Sequence, residues 1–94
     1  MAAPAGAPSG ALHVVVISPE ATVFDGAAES VVVPAYDGEI GILRGHAPLM
    51  AVLGTGTMRV TRGGTVDRYQ VDGGFVQVVD NVVTVLSEKT GTVS

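Results

Sequence analysis

From residue 11 onward the apolar residues of this chain fall in short, valine-rich runs, at 12–18, 29–33, 40–43, 49–53, 57–62, 65–71, 75–79 and 82–87. No stretch of ten or more residues repeats apolar positions at i, i+3 and i+4, so the pattern predicts strands and no helix. Valine reinforces this, because β-branched side chains suit a pleated surface and lose rotamer freedom in a helix. The runs are closed by Asp25-Gly26, Asp37-Gly38, Gly63-Gly64, Asp72-Gly73-Gly74 and Asp80-Asn81, which offer the positive φ or side-chain hydrogen bonding of tight turns. Alternation is clearest over 57–62, where Met58 and Val60 are expected inward and Arg59 and Thr61 outward. Runs 12–17 and 82–86 are apolar at nearly every position, as in strands covered on both faces or at a subunit contact. The expectation is an all-β, two-sheet antiparallel β-sandwich or flattened barrel. Its core is assigned to Val14, Val16, Val32, Ile42, Leu53, Met58, Val60, Val76, Val85 and Leu86.

Length and composition narrow the function classes. Ninety-four residues suit one small domain, read as 11–89, flanked by a disordered Ala/Pro/Gly tail at 1–10 and a short tail at 90–94. The N-terminal stretch lacks arginine, and the apolar run after it is too short for a secretory or membrane-spanning segment, so the chain reads as mature. With no cysteine there is neither a disulfide framework nor a thiolate metal site, and an intracellular compartment fits. Net charge is −4 with five cations, too few for a phosphate-tracking surface, which argues against DNA or RNA.

The segment 37–49, D-G-E-I-G-I-L-R-G-H-A-P-L, resembles the signature of the epsilon subunit of the rotary ATP synthase. Gly38, Glu39, Ile40, Gly41, Ile42, Gly45, His46, Ala47, Pro48 and Leu49 match its two halves in order and spacing. The opening L-H-V-V-V-I-S-P, the V-F-D-G at 23–26 and the D-G-G-F-V-Q-V at 72–78 are similar to other pieces of that family, and the likeness spans 12–89. It implies a sandwich of about ten short strands; the region 20–24 and a division of the longer runs are expected to supply those the pattern does not show.

The resemblance implies a non-catalytic rotor-stalk subunit of a proton-translocating synthase. It would couple the membrane rotor ring to the gamma-type stalk, as a peripheral protein on the cytoplasmic face of the bacterial inner membrane. It implies no cofactor, metal or lipid anchor. Glu39 and His46 become candidate contacts with the rotor ring, with Arg44, in the variable linker, as a rim residue. Without the resemblance, His46 reads as a structural histidine bonded to local backbone and Glu39 as a solvated carboxylate. Gly38, Gly41, Gly45, Gly73 and Gly74 are the residue type needed where φ is positive or backbones approach closely, so Gly41→Val is expected to disturb the fold. Pro48, lacking a donor, marks the start of a strand at Leu49. Tyr36, Met50 and Met58 read as core or interface packing. Typical members continue with two C-terminal helices implied to restrain ATP hydrolysis. This sequence stops at Thr90-Gly91-Thr92-Val93-Ser94, so neither that inhibition nor ATP binding is expected.

Other classes fit less well. A biotin or lipoyl carrier needs a lysine at a central hairpin tip, and the one lysine is Lys89. A hydrolase or metal enzyme built on His46 with Asp37 or Glu39 lacks a second nearby histidine and a nucleophile elbow. An oligonucleotide-binding barrel needs a basic face, whereas Phe24, Tyr36, Tyr69 and Phe75 come with negative charge. The remaining alternative is a generic β-sandwich interaction module.

Overall fold

The computed structural model describes residues 11–93, with side chains for 11–88. Eight strands form: β1 (Leu12–Ile17), β2 (Thr22–Ala28), β3 (Ser30–Ala35), β4 (Gly38–Leu43), β5 (Leu49–Val52), β6 (Thr55–Arg62), β7 (Thr65–Val79) and β8 (Val82–Val93). One hydrogen-bonded path, β2-β1-β8-β7-β6-β3-β4, carries seven of them, and β5 pairs with β7. Every pairing is antiparallel except β1 with β8, which is parallel.

The two long strands make this path a sandwich. The first half of β7 pairs with β6 through Thr55↔Asp72, and its second half pairs with β5 from Val52↔Phe75. One layer is therefore β2-β1-β8-β7-β5 and the other β8-β7-β6-β3-β4. Asp72-Gly73-Gly74, expected as a turn, is instead the passage of one continuous strand between layers. Inward residues of β7 are Tyr69 and Val71 before the passage and Val76 and Val78 after it, so the alternation shifts by one position there. Gly73 and Gly74 absorb the shift with φ of 73° and 102°. A Cβ on Gly74 would lie 1.8 Å from the Leu86 carbonyl oxygen, so only glycine fits.

Merging 65–71 with 75–79 and adding β2 gives eight strands where about ten were expected. Asp25-Gly26 is not a turn but lies inside β2, where Gly26 faces Val14 and leaves room for the Phe24 ring. The turns at Gly63-Gly64 and Asp80-Asn81 form as expected, all four residues having positive φ. β8 continues beyond Lys89, where the sequence reading closed the domain, to Val93. The tail assigned to 1–10 lies outside the described residues.

The core is a valine lattice of Val14, Val16, Val31, Val33, Val60, Val71, Val76, Val78, Val83 and Val85, completed by Leu12, Ile42, Leu53 and Met58. Val32 and Leu86 do not belong to it. Val32 is the outward member of the triplet 31–33, whose uniform valines carry no phase information. Leu86 follows an inward Val85 and is 36% exposed.

Candidate interaction surface

Among the described residues β4 is an edge strand, paired only with β3, and it carries the segment singled out in the sequence. Its residues alternate cleanly: Ile42 is fully buried, while Glu39, Gly41 and Leu43 face solvent. Glu39 stands at the start of the strand, next to the Tyr36-Asp37 hairpin tip. Arg59 on β6 donates to both of its carboxylate oxygens at 3.5 Å, a long and exposed pair. Such a pair contributes about 0–1 kcal/mol.

Arg44 and His46 occupy the loop at the other end of β4. Four strand residues, a step of five positions, separate Glu39 from Arg44, roughly 16 Å at the rise of an extended chain. The structure thus brings Arg44 and His46 together and holds Glu39 apart from them. Arg44 is exposed. His46 is half-buried; its amide donates to Leu43 O at 3.1 Å and its Nδ1 lies 2.8 Å from Ala47 O. A carbonyl only accepts, so this contact places a proton on Nδ1. Gly45, at φ 85°, donates its amide to Asn81 Oδ1 at 2.7 Å. Pro48 directly precedes β5, where its missing donor costs no ladder bond.

Gly41 departs from the expectation placed on it. Its φ is not positive, and a Cβ built there meets nothing within 4 Å. Neither backbone strain nor internal packing demands glycine at this point of β4. Gly38, with φ 141°, does use its freedom, in leaving the Tyr36-Asp37 tip.

The outer face of the first layer is apolar and uncharged over most of its width. Met50 (67% exposed) and Val52 (63%) on β5 lie in register with Gln77 and Phe75 on β7, which continue to Thr84 and Leu86 on β8. Val15 and Ile17 extend this face on β1. At its far side His13 Nε2 meets Asp25 Oδ1 at 2.7 Å. A shallow depression of about 470 Å³ opens beside β5, lined by Ala35, Tyr36, Asp37, Ile40, Ala51 and Val52. Of Tyr36, Met50 and Met58, read as core or interface packing, Met58 is core, while Tyr36, 84% exposed at the rim of this depression, and Met50 are open to a partner. The unbroken apolar runs of β1 and β8 are a partial signal of this face. That signal lacks the pairing that puts Met50, Val52 and Phe75 beside them. Among the described residues no three His, Asp or Glu side chains converge as a metal site would require.

Residues 11–91 match the family described as ATP synthase, Delta/Epsilon chain, beta-sandwich domain. The chain belongs to this family. It is 44% identical over 77 residues to the ATP synthase epsilon chain of Leptospira borgpetersenii serovar Hardjo-bovis (strain JB197), a match covering 82% of this chain and 61% of that one. With the ATP synthase epsilon chain of Synechococcus sp. (strain JA-2-3B'a(2-13)) it shares 49% over 75 residues, covering 80% and 55%. The chain thus spans under two-thirds of the length of these curated relatives. The fold recurs in a cryo-EM structure of Euglena gracilis mitochondrial ATP synthase (OSCP/F1/c-ring in rotational state 1), with a TM-score of 0.84 and 23% identity, covering 95% of this chain and 57% of that one. It recurs again in the central stalk/c-ring structure of the Tetrahymena thermophila mitochondrial enzyme, with a TM-score of 0.72 and 17% identity, covering 85% and 65%. At these identities the two structures bear on the fold alone.

Proposed function

We infer that this domain is a non-catalytic rotor-stalk part of an ATP synthase, joining the membrane rotor ring to the gamma-type stalk so that rotation is transmitted without slip. The observation that carries the reading, beside membership of the epsilon family, is the uncharged outer face formed by Met50, Val52, Phe75, Leu86, Val15 and Ile17. A contiguous apolar face on a small domain marks a protein contact. A stable contact needs roughly 1,200–2,000 Å² in total, and a rigid sandwich loses little conformational entropy on docking. In this reading the domain is a peripheral subunit on the cytoplasmic side of the membrane. Glu39, Arg44 and His46 serve as ring contacts in this reading. Because they stand at opposite ends of β4, a partner touching all three lies along that edge strand rather than against one loop.

The test is binding to a rotor subcomplex of stalk and ring lacking epsilon. Val52→Glu with Phe75→Glu should weaken binding more than tenfold while leaving the circular dichroism spectrum unchanged; unchanged binding removes this face from the interface. A Glu39→Ala, His46→Ala double variant should weaken it modestly, and most at low salt. Full affinity in that variant would take both residues out of the contact.

A further inference from the structure

The outer face of the second layer carries two features that work against the stability of the isolated domain. The first is a pair of like charges. Arg59 on β6 and Arg68 on β7 are direct cross-strand partners, and both point outward, between the inward Met58, Val60 and Tyr69. Opposed side chains in an antiparallel pair stand only about 4.5–5.5 Å apart at Cβ, and like charges so placed repel. The second is Gly41, a mid-strand glycine that also faces outward, with nothing in the fold requiring it. Val32 on β3 joins the two, because it is in register with Gly41 on one side and Arg59 on the other.

The charge distribution sharpens this. A chain of net charge −4 has five cations, and Arg59, Arg62 and Arg68 all lie on the β6–β7 hairpin. Arg62 is occupied elsewhere: its Nε donates to Asp67 at 2.5 Å and its guanidinium lies 5.6 Å from the Phe24 ring centre. Arg59 shares Glu39 at 3.5 Å. Among the described residues no salt bridge reaches Arg68. Among the described residues the face therefore presents one lightly compensated guanidinium and one with no salt bridge, on partners whose Cβ atoms stand about 5 Å apart. Exposed Leu43 and Val66 flank them as apolar contacts, and at Gly41 no side chain holds a partner off the backbone. Features that oppose local stability without an internal reason are characteristic of functional surfaces.

We propose that the outer face of β4-β3-β6-β7 is a second docking surface, on which Arg59 and Arg68 together receive a carboxylate side chain of a neighbouring rotor subunit. The planar guanidinium donates paired hydrogen bonds that match a carboxylate, and two of them can share one acidic residue or two consecutive ones. A carboxylate arriving there removes the Arg59/Arg68 repulsion, and the partner backbone seats over Gly41. The face differs from the apolar one in chemistry and in layer, so a domain using both is gripped from two sides. The proposal rests on the reading that the domain docks in a rotor.

The experiment compares wild type with an Arg59→Ser, Arg68→Thr double variant, by binding to the epsilon-free rotor subcomplex at low and near-physiological salt and by thermal unfolding of the free domain. The variant should bind at least about tenfold more weakly at low salt and show a flatter salt dependence. It should unfold at the same or a higher temperature than wild type, an outcome that a merely structural role for the pair excludes. Wild type that fails to bind the subcomplex overturns the rotor reading itself. Wild type that binds while the variant binds equally well, or a variant that loses binding only because its melting temperature falls, overturns this proposal alone. Wild-type binding to vesicles of anionic phospholipid, lost in the double variant, assigns the arginines to lipid headgroups and overturns it as well.

Discussion

The amide of Gly45 donates to Oδ1 of Asn81 at 2.7 Å, so the loop carrying Arg44 and His46 hangs from the turn between β7 and β8. Asn81 serves twice, since its backbone is left-handed at φ 65° and its own carbonyl accepts from the His13 amide. Asn81→Gly keeps the backbone conformation and removes only the side-chain bond, so a loss of about 1 kcal/mol is expected. Hydrogen exchange at the Gly45 amide should accelerate in step. Asn81→Val adds the left-handed penalty, about 1–2 kcal/mol more. Unaltered Gly45 exchange in Asn81→Gly would show that the loop is held by something else.

Gly73 and Gly74 separate under substitution. At Gly74 a methyl group collides with the Leu86 carbonyl, a backbone atom that cannot swing away, and its φ is strained besides. Gly74→Ala should cost more than about 3 kcal/mol or prevent folding. At Gly73 the nearest obstacle is Glu88 Oε1, the end of a flexible side chain, so Gly73→Ala should cost only the positive-φ strain, about 1–2 kcal/mol. Urea unfolding of the two variants side by side tests this order.

Gly41→Val should be neutral or stabilise the free domain by up to about 1 kcal/mol, because a β-branched residue replaces glycine in an open, outward strand position. Chemical denaturation measures it, and a clear loss of stability would restore the expectation that glycine is structurally required there.

Tyr69 packs against Phe24, ring centres 6.1 Å apart, with its phenol near Asp67 and Arg62. Burial first, and the Asp67 carboxylate second, raise its pKa above the usual 10, partly offset by Arg62. The folded state therefore holds this proton more tightly than the unfolded chain. The associated stability is fully present below pH 10 and is lost as pH rises through the folded pKa. Comparing Tyr69→Phe with wild type by urea unfolding from pH 8 to about pH 11.5 should show a steeper alkaline fall for wild type. Parallel curves would deny the shift.

Much of the sandwich is legible because polar residues set the phase of its strands. Arg59 and Thr61 fix Met58 and Val60 as inward. Where that marker is missing the phase is lost, as at 31–33, where Val32 reads as inward and faces out. Asp72-Gly73-Gly74 has the composition of a turn, and only long-range pairing with β8 on one side and β5 and β6 on the other keeps it extended. Residues near in sequence also proved distant in space: Glu39 and His46 belong to one motif, yet an extended strand lies between them. Arg59 and Arg68 are unremarkable as text, because their opposition depends on the register set by the Gly63-Gly64 turn.

The parallel pairing of β1 with β8 bears on how the chain is made. His13 aligns with Val82 and Ile17 with Leu86, so the earliest described strand can complete its ladder only when the last has left the ribosome. At roughly 5–20 residues per second, the intervening stretch of about 70 residues takes about 4–14 s to synthesise. β2 can pair with β1 meanwhile, but a lone hairpin is marginal in water. For that interval the valines of β1 are an exposed, aggregation-prone segment of the nascent domain, and they are where protection by a chaperone matters most.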